Sequence, residues 1–208
     1  MKNLMYLASI LLITACHQVN TKKMSIGIQP YGSVQASLID SIKHTIQTVY
    51  DFKAVHILPT KPLPKTAYIN IKSPRYRADS ILKILKTNLA DTLDYVIAVT
   101  SKDISTTKKD SQGQPLTPKH KYEDWGIFGL GYRPGPACII STFRIKTTNT
   151  SKFIDRVQKI CMHEIGHNLG LKHCKQGKKC VMKDAAETIK TIDQVDLELC
   201  KTCSSLIQ

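Results

Sequence analysis

Residues 161–182 read "CMHEIGHNLGLKHCKQGKKCVM", and the spacing inside this stretch decides how the chain is understood. A helix turns about 100° per residue, so His163 and His167 lie one turn apart on the same face and their rings converge on one ion. Glu164 falls beside that ion without being a ligand, where its carboxylate can take a proton from a metal-bound water. Gly170 follows His167 by three residues and His173 follows Gly170 by three more. Glycine at that place lets the chain leave the helix through a positive-φ turn and swings His173 back to the same ion. Three neutral imidazoles leave a fourth zinc position open, the arrangement of a catalytic rather than a closed structural zinc.

Immediately after His173 stands Cys174, and a second set of donors begins there. Cys174 and Cys180 form C-x5-C, and Cys200 and Cys203 form C-x2-C in "CKTC". Four thiolates so paired fit a tetrahedral structural zinc, which contributes folding free energy where the local core is thin. Two disulfides are the rival reading, because four cysteines in an exported chain allow three pairings. Cys138 and Cys161 stand in apolar surroundings and read as small core residues.

These patterns resemble two nested families. HExxHxxGxxH is the signature of the metzincin metallopeptidases, in which a methionine forms a tight turn beneath the zinc, and Met182 in "CVM" is placed for that role. The extension to HExxHxxGxxHC, then C-x-M, seventeen residues and C-x-x-C resembles the archaemetzincins. This chain departs once, with five residues rather than four between Cys174 and Cys180, and Gly177 is there to absorb the extra one.

"AYINIKSPRYRADSILKIL", "YVIAVTSKDI", "FGLG" and "IISTFR" also look like the family's N-terminal part in order. The resemblance implies an α/β (α+β) fold: a mixed, twisted sheet with backing helices, an active-site helix and a small zinc-stapled C-terminal lobe. It implies peptide-bond hydrolysis by a zinc-bound water with Glu164 as general base, two zinc ions per chain (one catalytic, one structural), and peptides or small proteins as substrates. A substrate paired to the sheet's edge strand places Phe128, Gly129 and Leu130, within "WGIFGLGY", as contacts. The alternative is a zinc-stabilised peptide-binding lipoprotein whose catalytic centre is unused.

Working outward, the chain has 208 residues, 42% of them hydrophobic, enough for one substantial core. Lys2, the apolar "LMYLASILLI" and "ITAC" read as a targeting segment over 1–15. "ITAC" resembles a lipobox, which implies lipidation of Cys16, a tether over 16–24 and an exported protein held on a membrane at the periplasmic or cell-surface side. One catalytic domain over 25–203, with its zinc lobe at 174–203 and a tail at 204–208, follows, and a monomer is expected. The formal net charge is +14, yet the lysines are scattered, without aromatic interleaving or any nucleic-acid motif, so they read as a solvated surface rather than a nucleic-acid site.

Periodicity supplies the remaining elements. "SIGIQPYG", "AVHILP" and "LDYVIAVT" read as strands, and a short strand is expected within "TKPLPKTAYINIK". Val34 to Tyr50 reads as a helix capped by Ser33, and a second helix is expected to open at Ser73 and Pro74. "WGIFGLGY" and "PACIISTFRI" read as two strands joined by "RPG". Residues 101–124 read as a mobile insertion, Thr150 as the cap of the long motif helix, and "TIDQVDLELC" as one more short helix.

Overall fold

The computed structural model describes residues 20–184 and 188–207; the targeting segment expected over 1–15 and Cys16 lie outside them. Its centre is a five-stranded sheet in the order β2-β1-β5-β9-β8, made of β1 (Ser25–Tyr31), β2 (Ala54–Ile57), β5 (Tyr95–Thr100), β8 (Gly129–Gly131) and β9 (Ala137–Ser141). The first four strands in that order pair in parallel, and β8 runs antiparallel to β9 at the edge. Successive side chains of a strand face opposite ways, and here both faces are covered. Ile97, Val99, Cys138 and Ile140 point to one core, beneath α1 (Ala36–Tyr50) and α4 (Thr150–Asn168). Val96, Ala98, Ala137 and Ile139 point to the other, beneath α2 (Ala78–Thr87). Burial on both faces explains why these strands read as continuous apolar runs.

Helix α1 buries Leu38, Ile39, Ile42 and Ile46 at helical spacing, each such side chain stabilising by roughly 1.5–3 kcal/mol when fully buried. Its first residue is Ala36 rather than Val34, and Ser33 caps nothing, since Gln35 is the N-cap and makes no side-chain cap bond. The start of α4 is capped by Asn149 rather than by Thr150, which is the first helical residue; Asn149 Oδ1 accepts from Lys152 N at 2.9 Å. Arg156 on α4 forks onto Asp193 of α5 (Ile189–Gln194), with bonds of 2.7 and 2.8 Å. These hydrogen bonds hold the Asp193 carboxyl well below the usual carboxylate range and fix α5 across the motif helix.

Two expectations about the middle of the chain are corrected. Pro74 opens no helix: Pro74–Arg77 is strand β4, antiparallel to β3 (Tyr68–Asn70), and α2 starts only at Ala78. Residues 101–124 are not a bare insertion, because Ile104–Thr106 forms β6, parallel to β4 and antiparallel to β7 (Trp125–Ile127), and α3 (Lys119–Tyr122) follows within the same segment. The second sheet, β3-β4-β6-β7, is pinned by Asp103, which accepts from Arg75 Nε at 2.8 Å and from Arg144 Nε at 2.7 Å.

"WGIFGLGY" is accordingly two strands, not one. Trp125–Ile127 pairs with β6 in the second sheet and Gly129–Gly131 with β9 in the first; Phe128 is the crossover between them. Among the described residues, the C-terminal lobe has no separate core. Val181, Met182, Ile192, Cys203 and Ile207 are continuous with the cluster under α1 and α4, so the thiol site joins a lobe already seated on the main core.

Candidate metal centres and cleft

Helix α4 delivers His163 and His167, and its end delivers the turn. Gly170 has φ +95°, with Gly170 N–H donating to His167 O and Leu171 N–H to Gly166 O, both at 2.9 Å, the paired bonds of a Schellman motif. The turn returns His173 to the helix face, so that the donor atoms of His163, His167 and His173 all lie within 4.8 Å of one another. His167 Nε2 and His173 Nε2 are 3.2 Å apart. Two nitrogens at roughly 2.0–2.1 Å from a tetrahedral zinc would stand about 3.3 Å apart, so this pair fits the ion.

Each ring is also held from behind. His163 Nδ1 donates to Val181 O at 2.9 Å and His167 Nδ1 to Leu171 O at 2.8 Å, while His173 Nδ1 pairs with Asp184 Oδ2 at 3.3 Å. Holding Nδ1 fixes the tautomer and leaves Nε2 free for a metal. Burial lowers His163 and His167 to about 4, which keeps both rings neutral near pH 7 with lone pairs available.

The sequence reading missed Asp184, since an acid two residues past a methionine carries no periodic signal. Asp184→Asn is expected to weaken zinc retention about tenfold, the low end for a supporting carboxylate because both partners are more than a third exposed. Chelator competition measures it, and unchanged retention would show that His173 is held by other means.

Glu164 lies next to the three imidazoles with 8% of its surface exposed. Burial pushes its carboxyl up to about 8, a shift that a nearby dication opposes. Strand β8 makes the room for it. A Cβ on Gly129 would come within 2.7 Å of Glu164 Oε1, and one on Gly131 within 3.0 Å of the Glu164 backbone oxygen. The two glycines are therefore a close approach of strand to helix, not a bulge. Beneath the helix, Met182 is fully buried and Gly166 admits it, since a Cβ there would meet Met182 Sδ at 2.3 Å.

The four thiols of Cys174, Cys180, Cys200 and Cys203 also gather within 4.8 Å. Cys174 Sγ and Cys200 Sγ stand 3.6 Å apart, far from a bonded 2.03–2.05 Å and near the separation of about 3.8 Å expected for two sulfurs at 2.3 Å from a tetrahedral zinc. Gly177 N–H donates to Cys174 Sγ at 3.2 Å and Cys200 N–H to Cys180 Sγ at 3.3 Å. Gly177 sits against the cluster, where a Cβ would fall 2.9 Å from the Cβ atoms of Cys180 and Cys200; this is how the five-residue spacing closes. Burial works to raise the Cys174 thiol, but the N–H groups of Gly177 and Gln176 outweigh it, with the neighbouring thiols, and bring it down to about 7. Both donor sets fit zinc.

A cleft of about 450 Å³ opens over the histidines, lined by Phe128 at the crossover and by Gly129 and Leu130 of the edge strand β8. Arg133 and Lys159 line it too, and neither was singled out beforehand. Lys159 was legible, because it stands one helical turn before His163 on the same face.

The sequence model of "Peptidase family M54" matches residues 20–208. The chain is similar to the archaemetzincin of Halobacterium salinarum, 28% identical over 193 residues that cover 88% of this chain and 99% of that one. It is 30% identical to the archaemetzincin of Methanocaldococcus jannaschii over 191 residues, 89% and 93% of the two chains. Among solved structures, the archaemetzincin of Archaeoglobus fulgidus complexed with malonate superposes with a TM-score of 0.67 at 27% identity, covering 88% of this chain and all of that one.

Proposed function

The chain belongs to peptidase family M54, the archaemetzincins, and is a zinc metallopeptidase; from that premise we propose that it hydrolyses peptide bonds in the cleft over His163, His167 and His173, with Glu164 as the general base. The observation that carries this is the placement of Glu164, a buried carboxylate beside three rear-anchored imidazoles, in space cleared by two glycines of the opposite strand. A module that only binds peptides has no use for it.

His163, His167 and His173 would hold one zinc through Nε2, and Cys174, Cys180, Cys200 and Cys203 would hold a second, structural one. When bound, the catalytic ion supplies Lewis acidity, which polarises the scissile carbonyl and makes a water more acidic. The Glu164 carboxylate accepts a proton from the attacking water as its oxygen adds to the carbonyl carbon. It returns the proton to the departing amine nitrogen as the C–N bond breaks. Phe128, Gly129 and Leu130 position the peptide, since β8 is the terminal strand of its sheet and one edge is free to pair with an extended chain. Met182 supports the imidazoles from below as the methionine of the turn.

The test is a defined peptide mixture incubated with zinc-loaded protein, with and without chelator, and the products sequenced by mass spectrometry. Chelator-sensitive cleavage is expected, and intact peptides in both arms would overturn the reading.

We further propose that this activity resides in one domain over 25–203, acting as a monomer outside the cytoplasm and tethered by a lipid on Cys16. "ITAC" after a short apolar run supports the tether. Among the described residues no helix is long and apolar enough to cross a membrane. Mass spectrometry of the mature N-terminus decides, and an unmodified Cys16 or a different first residue sinks the tether.

A further inference from the structure

Lys159 lines the cleft, and nothing in the metal chemistry requires it. Asp155, Lys159, His163 and His167 follow one another at intervals of four and form a single stripe along α4. Lys159 is thus about 6 Å along the helix axis from His163, within reach of the substrate side chain next to the scissile bond. Its side chain is only 9% exposed. Around it the cleft is apolar, lined by Ile160, Val181, Ile192 and Val195.

A buried ammonium needs an anion, because desolvation is costly without one. Asp155 Oδ2 meets Lys159 Nζ at 2.7 Å, but the Asp155 side chain is 42% exposed. The next carboxylate, Asp193, is already shared by Arg156 and Lys152. This face of α4 therefore carries three cations against two carboxylates. Among the described residues lining the cleft, Glu164 is the sole carboxylate. Lys159 itself lines the cleft while Asp155 does not, and Asp155, whose side chain is more than a third exposed, can return to water at little cost.

We infer that Lys159 determines specificity, binding the side-chain carboxylate of an Asp or Glu residue next to the scissile bond. The inference rests on the peptidase reading above and deepens it. The hydrocarbon stem of the substrate residue packs on the apolar walls while its carboxylate takes a charge-assisted hydrogen bond from Nζ.

The test reads binding rather than turnover. Zinc-loaded Glu164→Gln protein is titrated with acetylated, amidated hexapeptides that differ only by Glu or Gln at one scanned position. At one position the Glu peptide is expected to bind at least tenfold tighter. That ratio should fall towards one in the Lys159→Met background and rise two- to threefold with Asp155→Asn, which removes the competitor. Equal affinity for the two peptides overturns the inference, as does a ratio that survives Lys159→Met. Should that variant not fold, a ratio unmoved by Asp155→Asn overturns it. A preference shown only by peptides with a free C-terminal carboxylate also refutes the side-chain assignment. If the native protein cleaves no peptide yet the Glu preference holds, the peptidase reading alone fails.

Discussion

Glu164→Ala is expected to reduce zinc-dependent peptide cleavage by about 10²- to 10⁴-fold in kcat/KM, the range associated with a positioned general base. That loss corresponds to roughly 3–5 kcal/mol of transition-state stabilisation. The metal content should not change, because Glu164 is not among the three clustered histidine donors. Stability should hold or rise slightly, since the carboxylate is costly to bury and its removal leaves space open to the cleft rather than a sealed cavity. Kinetics on a cleaved peptide, metal analysis and thermal unfolding on the same preparation separate these effects. Undiminished cleavage by a folded, zinc-loaded variant would falsify the assignment of Glu164.

Cys174→Ser is expected to act on both metal centres. A hydroxyl is a poor replacement for a thiolate, so the structural zinc should be lost or bound far more weakly. Loss of stability should be on the order of 3 kcal/mol, about 6–12 °C in Tm for a chain of this size. The effect reaches the histidines by two routes. Cys174 follows His173 directly, and Cys174 N–H donates to Met182 O at 2.8 Å, while Val181, between Cys180 and Met182, anchors His163 through its carbonyl. Loosening the thiol cluster therefore disturbs the supports of two imidazoles. Metal content should fall from two zinc ions to one or fewer, and the catalytic ion should leave more readily to chelator. Full activity together with unchanged affinity for the remaining zinc would show that the centres are independent.

Much of the site was legible because its information is local. Intervals of four and three residues fix the directions of His163, His167 and His173, and the demand for positive φ singles out Gly170. The 3.6 Å between Cys174 Sγ and Cys200 Sγ is the spacing of gathered thiols rather than of a bonded pair, a matter of distance that spacing in the sequence leaves open. Secondary structure was legible where an element is long or doubly buried, as in α1, α4, β1 and β5. It is not legible where elements are three or four residues long: β4 reads as a helix start, β6 as loop, and β7 with β8 as one strand. A short strand is stabilised by its pairing partner more than by its own side chains, and both partners of β6 are distant in sequence, Arg77 and Gly126 flanking Ser105.

By itself, then, the sequence determined two sets of candidate metal donors, the carboxylate beside one of them, and an α/β chain built on buried strands. Periodicity and turn chemistry are properties of neighbouring residues, and they survive without knowledge of the rest of the chain. Only the tertiary structure decided that Gly129 and Gly131 clear the space for Glu164 and that Asp184 stands behind His173. Those facts depend on how closely α4, β8 and the segment after Met182 approach one another, and that distance is set by the packing of the whole core.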